Sequence, residues 1–492
     1  MRWPLVAVLL LTVARPAVGQ APLRLSIDDV LRRADSASEA VGIARAGVRG
    51  AGGRLTQARS AWLPQLTGSA SYTRTLETQF SALQSSGGDS AGPRPPAPVD
   101  CTRFTPRPGL TVAERLDSLE RGLDCTANGN GGIDFSNLPF GQANAWSFGL
   151  QLRQTLFDRS VPARVRSARA GEDQADAAYD AARAQATLDA ATSYYDARLA
   201  DRLLAIAEST LVQSERQERE TELAGRVGNA AEFDVLRAQV ARQNQVPVVA
   251  QRRSQREVAY LRLRQALDLA EDQPLELVTP LDDTAAVALP AYLHASEALP
   301  DPAARAGVRE ADAAARAAEA SRDAAAGGRW PTVALTSSYA KLAYPRDVFR
   351  FGTFLTDWTA GVQVSVPLFT GGRVGGQVRE AEAAADAARL RARQVLEGAR
   401  REAAEVRTLY DAALASFAAS EGTAAQARRA YEIAEIRVRE GLSTLTDLAD
   451  VRLQLQQAEA NRAQAARDLQ VARLRLRLLR DLPIGTATAG RS

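Results

Sequence analysis

Lysine is all but missing from this chain: of 61 basic residues, only Lys341 is not arginine. Histidine occurs once, at His294, and cysteine twice, at Cys101 and Cys125. That inventory offers no metal-ligand spacing, so neither a metal nor a cofactor is expected. Blocks of one charge sign are absent as well. The formal charge is +3; setting aside Arg2 and Arg15 of the leader takes 61 basic residues to 59 against 58 acidic, a net +1. Interleaved signs leave no basic patch for nucleic acid, which is excluded as a partner. Aromatic residues are 5% and charged residues 24%, a meagre supply of bulky core for a compact multi-domain enzyme. Acid pairs such as Asp282-Asp283 stand without a nucleophile and base, and no catalysis is expected. No apolar run approaches the roughly 18 residues that a membrane-crossing helix needs.

What is present begins with a leader. Arg2, the apolar stretch Pro4–Val13 and the small residues Ala17-Val18-Gly19 predict a signal peptide over 1–19, cleaved before Gln20. In an exported chain, Cys101 and Cys125 are expected to bridge and close a loop within their Gly/Pro/Ser-rich segment. His294, in an apolar, proline-flanked connector, reads as structural.

Proline is missing between Pro162 and Pro247, and again between Pro367 and Pro483. These stretches are rich in Ala, Arg, Glu, Gln and Leu, a helical composition. Helices are predicted from Ala163 to about Ala224 and from Arg373 to about Arg439. At 1.5 Å per residue each would run about 95–100 Å, a length that implies coiled-coil packing. Alanines at Ala175, Ala177 and Ala178, and at Ala383, Ala384 and Ala385, would let helix backbones approach closely. Pro247 is expected to kink or break the first return helix.

Four segments alternate instead with period two. In Trp146–Arg153, Trp146, Phe148, Leu150 and Leu152 are apolar, while Gln151 and Arg153 are polar. In Trp358–Leu368, Val362, Val364 and Val366 alternate with Thr359, Gln363 and Ser365. Shorter patterns lie near 62–74 and 331–341. Such alternation fits a half-buried strand; in an exported protein it also fits a transmembrane strand with lipid outside and water inside. On that second reading Trp146, Phe148, Leu150, Leu152, Trp358, Val362, Val364 and Val366 face lipid, with terminal aromatics as girdles. Gln151, Arg153, Gln363 and Ser365 then face a lumen.

The same unit occurs twice. Leu156-Phe157 recurs as Leu368-Phe369 at an offset of 212, and Tyr195-Asp196-Ala197 as Tyr410-Asp411-Ala412 at 215. Each copy reads helix, strand, loop, strand, very long helix, tight turn, long helix. Four strands per chain cannot close a barrel, and a membrane tolerates no open sheet edge. Two chains would give eight strands and almost no bore; three would give twelve and a water-filled one. A homotrimer is the smallest assembly that both closes and conducts.

These residues resemble the TolC-type outer-membrane efflux proteins, trimeric channel-tunnels of Gram-negative bacteria. The likeness rests on Leu63-Pro64-Gln65-Leu66 before the first strand, and on Leu156-Phe157 and Pro367-Leu368-Phe369-Thr370-Gly371-Gly372 after the second and fourth. The Gly-centred turns at Gly228 and Gly441 belong to it as well, and together the matches span almost the whole mature sequence. The sequence departs from the family at Ser38-Glu39, where an Asn-Pro is common, and in a long segment from about 79 to 142. The resemblance implies a mixed α/β membrane protein with a 12-stranded trimeric barrel, continued by an α-helical coiled-coil periplasmic barrel. It divides the chain into a first repeat over 20–280, a connector over 281–300, a second repeat over 301–482 and a tail over 483–492. In the first repeat, strands near 62–74 and 146–157 flank an external loop 75–145 and precede a helical hairpin 161–270. In the second, strands near 331–341 and 358–368 precede a hairpin 373–482.

The implied function is export of small molecules or proteins across the outer membrane, as the passive channel of a tripartite efflux or type I secretion system. Implied partners are outer-membrane lipid, a periplasmic adaptor and an inner-membrane pump of RND or ABC type. The adaptor would meet the hairpin tips at Gly228, Asn229, Gly441, Leu442, Ser443 and Thr444. An acidic ring at the periplasmic entrance would be Asp447 and Asp450, some of whose pKa values mutual repulsion would raise. Local chemistry explains part of this on its own: Asn229 with Glu232, and Thr444 with Asp447, have the spacing of helix caps. The Gly-rich stretch Thr370–Gly376 lacks the Gly-Lys-Ser/Thr of a phosphate loop and reads as a sharp turn. The rival reading is a periplasmic coiled-coil adaptor or scaffold with a soluble β-domain.

Overall fold

A computed structural model describes residues 21–76, 107–128, 143–283, 287–296, 298–345, 347–349 and 352–485. The leader at 1–19 and Cys101 lie outside the described residues. The chain divides into two compact units.

The first unit is helical. It opens with β1 (Leu23–Leu25), α1 (Ile27–Ala37) and α2 (Glu39–Ser60). The first hairpin follows: α4 (Ser160–Arg226) and α5 (Glu232–Ala266), counting a helix α3 of the other unit. Then come β4 (Leu275–Leu277), after β2 and β3 of the other unit, a 3-10 turn at Pro302–Ala304, and α6 (Ala306–Gly327). The second hairpin is α7 (Arg373–Arg439) and α8 (Leu445–Leu478). Both long helices have 67 residues, about 100 Å.

Along α4 the buried residues Ala163, Ala170, Ala177, Ala184 and Ala191 recur every seventh position. Along α7 the buried Val378, Ala385, Ala392, Ala399 and Val406 do the same. A strict heptad seam imposes a left-handed supercoil, and a seam made largely of methyl groups brings the backbones close. Helix α4 packs against α5, α6 and α8, and α7 against α6 and α8. The thickest core lies midway along α4. There Leu188, Tyr194 and Tyr195 meet Val30 and Leu31 of α1, Leu263 of α5 and Leu478 of α8. Strands β1 and β4 pair in parallel, and the Tyr194 hydroxyl donates to the Leu25 carbonyl of β1 and accepts from the N–H of Thr279, two residues past β4.

Of the kink or break expected at Pro247, the break does not occur: α5 runs unbroken through it, and the proline forfeits one backbone hydrogen bond. The four alternating segments form one four-stranded sheet, as expected; among the described residues two three-residue strands, β1 and β4, pair separately and are too short to show alternation. Helix α5 ends at Ala266, not near 270, where Asp268 takes a left-handed φ of 49°.

The second unit is a four-stranded antiparallel sheet in the order β2 (Gln65–Arg74), β3 (Asn144–Phe157), β5 (Thr332–Ala343) and β6 (Leu355–Ser365), with α3 (Val112–Asn128). Prolines set the strand starts and one strand end. Pro64 and Pro331 lie just before β2 and β5. Pro367 lacks a ladder donor, so β6 stops at Ser365 rather than at 368 and Val366 lies past the last paired residue. Helix α3 occupies part of the segment expected to be loop; Thr111 and Glu114 cap its start, the Thr111 N–H and hydroxyl both donating to the carboxylate.

Candidate functional site

The sheet sorts its side chains by register. One row runs Thr67, Gln151, Ser338, Thr359, and the next Gln65, Arg153, Thr336, Gly361. Gln363 and Ser365 continue this face by alternation. The two rows and Gln363, but not Ser365, line a shallow concavity of ≈ 600 Å³. The row next to the first on its other side, Gly68, Leu150, Tyr339, Trp358, belongs to the opposite face. Leu66, Trp146, Phe148, Leu152, Val362 and Val364 share it. A register shift between Thr155 and Phe157 brings Phe157 opposite Val333 and Val364, so a bulge keeps Phe157 on the apolar side.

Much of the apolar face is left exposed by the described residues. Trp358 is 74% exposed and Val362 62%. Its polar atoms are nevertheless tied internally: the Trp358 indole N–H donates to Ser337 Oγ, and Ser337 Oγ donates to the Thr359 carbonyl. Aromatic rings cluster on it, Tyr72 against Trp146 at 4.9 Å and Tyr339 against Trp358 at 6.3 Å between centroids. Trp146 also donates to the Val348 carbonyl, and Asn144 to that of Pro345. At the end of the sheet that leads to the helices, the Arg159 guanidinium sits 4.4 Å over the Trp330 ring, a cation–π contact. Among the described residues, strands β2 and β6 each have one neighbour, and no described strand pairs with either outer edge.

The hairpin tips of the helical unit share one backbone design. At the first, the Gly228 N–H donates to Gly225 O and the Asn229 N–H to Ala224 O; at the second, Gly441 donates to Val438 O and Leu442 to Arg437 O. This pair of bonds is the Schellman helix end. It needs the left-handed φ of 80° at Gly228 and 72° at Gly441, which glycine adopts without a Cβ penalty. The returns then differ. At the second tip, Ser443 Oγ and the Thr444 N–H donate to Asp447, while the Asp447 N–H donates to Thr444 Oγ1. These bonds, the Thr444 backbone one foremost, hold the Asp447 carboxyl below its ordinary pKa. Within one chain Asp447 is thus drawn down, not up, and serves as a cap acid. Asp450 is exposed and outside the cap.

At the first tip the expected cap does not form: Ala231 is the N-cap residue, with no side-chain hydrogen bond. Asn229 closes the preceding helix instead, two residues too early to cap α5. Sequence spacing also hides one link between the tips, Arg237 donating to Thr446 Oγ1 across 209 positions. Gly371 and Gly372, with φ of 58° and 84°, make the turn into α7. His294 meets Asp481 through its backbone N–H, at 2.8 Å, and its ring. Cys125 lies in α3 and is disulfide-bonded.

The profile of the outer membrane efflux protein family matches residues 119–268 and 303–480. The outer membrane efflux protein BepC of Brucella suis biovar 1 (strain 1330) is 28% identical over 326 residues, covering 63% of this chain and 68% of that one. Among solved structures, the outer membrane channel CmeC of Campylobacter jejuni superposes with a TM-score of 0.68 at 14% identity, covering 94% of this chain and 87% of that one. The outer membrane protein VceC of Vibrio cholerae gives 0.67 at 20% identity, covering 93% and 96%. A sheet with one apolar and one polar face, two long-helix hairpins and a match over more than half the sequence lead to one conclusion: the chain belongs to the outer membrane efflux protein family of TolC-type channels.

Proposed function

We propose that three chains join their sheets edge to edge into a twelve-stranded barrel and export cargo across the outer membrane as a passive conduit. The observation that carries this reading is the pair of edges, unpaired among the described strands, on a sheet with one polar and one apolar face. In hydrocarbon each unpaired backbone group costs several kcal/mol, which closure removes. Gln151, Arg153, Gln363 and Ser365 would line the bore, and Trp146, Phe148, Leu150, Leu152, Trp358, Val362 and Val364 would meet lipid, with Val366 just beyond the strand. The test is native mass spectrometry of the detergent-extracted protein, paired with planar-bilayer recording. Three chains and a steady conductance are expected; a single chain that carries no current would end the proposal.

Energy would come from partners, a periplasmic adaptor and an inner-membrane pump of RND or ABC type. The rigid Schellman turns offer the adaptor a defined end at Gly228, Asn229, Gly441, Leu442, Ser443 and Thr444. Tripartite efflux is favoured over type I secretion by the family profile alone. Asp447 and Asp450 would form the acidic ring of the entrance, with different duties. Asp450, free of the cap, sets the field; Asp447 shapes the turn. Asp450→Asn is expected to lower cation-over-anion permeability roughly threefold and leave helix content unchanged. Unaltered selectivity in Asp450→Asn channels would remove Asp450 from the ring.

A further inference from the structure

The sole lysine lies where a charge is least expected. Register places Lys341 opposite Phe148 on β3 and Thr356 on β6, on the face shared by Leu150, Tyr339 and Trp358. It is exposed, and its amine has no hydrogen-bond or ion-pair partner among the described residues. It stands two residues from the end of β5 that lies away from the helix connections. Beside it is a groove of ≈ 680 Å³ walled by Phe148, Leu150, Tyr339 and Phe354. Gly68 and Ala70 form its floor, because neither fills the space a larger side chain would take. A second cation, Arg74, follows Tyr72 on the same face at the outer end of β2.

We propose that this groove binds an outer-leaflet lipid: an acyl chain lies over Gly68 and Ala70 between the aromatic walls, and a phosphate-bearing headgroup pairs with Lys341. Charge complementarity selects the headgroup. An unpaired ammonium on a hydrocarbon-facing surface is costly, and its flexible stem lets it reach the headgroup level, where an anionic phosphate is the available partner. A zwitterionic lipid would bring its own cation to the same place. Every lining residue comes from one chain: Phe148 and Leu150 on β3 and Tyr339 and Lys341 on β5 are on inner strands, and the floor at Gly68 and Ala70 is on edge strand β2.

The inference rests on the apolar face meeting lipid, and the experiment separates the two. The full-length trimer in zwitterionic detergent is mixed with bis-phosphorylated lipid A, with the same lipid A stripped of phosphate, or with inorganic phosphate, and adducts are counted by native mass spectrometry. Wild type is expected to retain lipid A about tenfold better than the phosphate-free form, and excess inorganic phosphate is expected not to displace it. Lys341→Gln should erase that preference, Lys341→Arg should keep it, and Gly68→Val, whose new side chain projects into the groove, should weaken both lipids. Equal retention by Lys341→Gln and wild type overturns the site, as does displacement by inorganic phosphate. Quenching of tryptophan fluorescence by brominated acyl chains reports the face itself. Loss of headgroup preference with quenching intact refutes only the lipid site; absent quenching refutes the lipid-facing reading as well.

Discussion

Replacing Arg305 with methionine is expected to destabilise the helical unit by about 3–5 kcal/mol, the range for stranding one partner of a buried ion pair. Arg305 is fully buried, and its guanidinium donates to the Leu479 carbonyl, the Ala399 carbonyl and the Glu402 carboxylate, each at 3.1 Å. The Gly485 N–H donates to the same carboxylate. The pair thus ties the start of α6, the middle of α7, the end of α8 and the chain beyond it. Burial pulls the Arg305 pKa down while Glu402 pulls it back up. Methionine fills the space but leaves the Glu402 charge without its partner. The readout is the temperature at which helical circular dichroism is lost, together with the yield of folded protein. Removing both charges, as Arg305→Met with Glu402→Leu, should recover most of the loss, because a well-packed apolar pair avoids the desolvation cost. A single variant as stable as wild type would show that the ion pair does not hold these segments.

The second large effect separates adjacent residues of β6. Val362→Arg is expected to cost about 2–4 kcal/mol per chain if it lies near the bilayer midplane, whereas Gln363→Arg should be tolerated within about 0.5 kcal/mol. Val362 pairs with Leu335 on the apolar face, and Gln363 with Ala334 on the polar one. Folding into lipid vesicles, followed by the heat-resistant trimer on gels, distinguishes the two. Equal effects from both substitutions would mean that the faces do not part lipid from water.

Much of this was legible in the sequence because the signals are periodic or punctuating. Pro64, Pro331 and Pro367 bound strands whose alternation is strict, and the helices expected over 163–224 and 373–439 match the two 67-residue helices within a few residues. The heptad of buried alanines, from Ala163 to Ala191, was present but is diluted by the many other alanines in the same helix. Helix α3 carried a signal too, Thr111 three residues before Glu114, masked by the Gly- and Pro-rich composition around it. Other features have no local signature. Strands β1 and β4 are three residues each and pair across 252 positions. Arg305 looks like any other arginine until α7 and α8 close over it. The first-tip cap failed as an expectation because two motifs competed for Asn229, and the helix end, needing a left-handed residue at Gly228, took it.

Lipid on one face of the sheet and water on the other is the claim on which the channel rests, and an accessibility scan along β6 tests it most directly. Single cysteines from Thr356 to Val364 are spin-labelled in vesicles, and collisions with oxygen and with a water-soluble nickel complex are measured. Oxygen is expected to dominate at Trp358, Ala360, Val362 and Val364, and nickel at Asp357, Thr359, Gly361 and Gln363, with a period of two residues. Uniform access to nickel at all nine positions would contradict a membrane-spanning sheet.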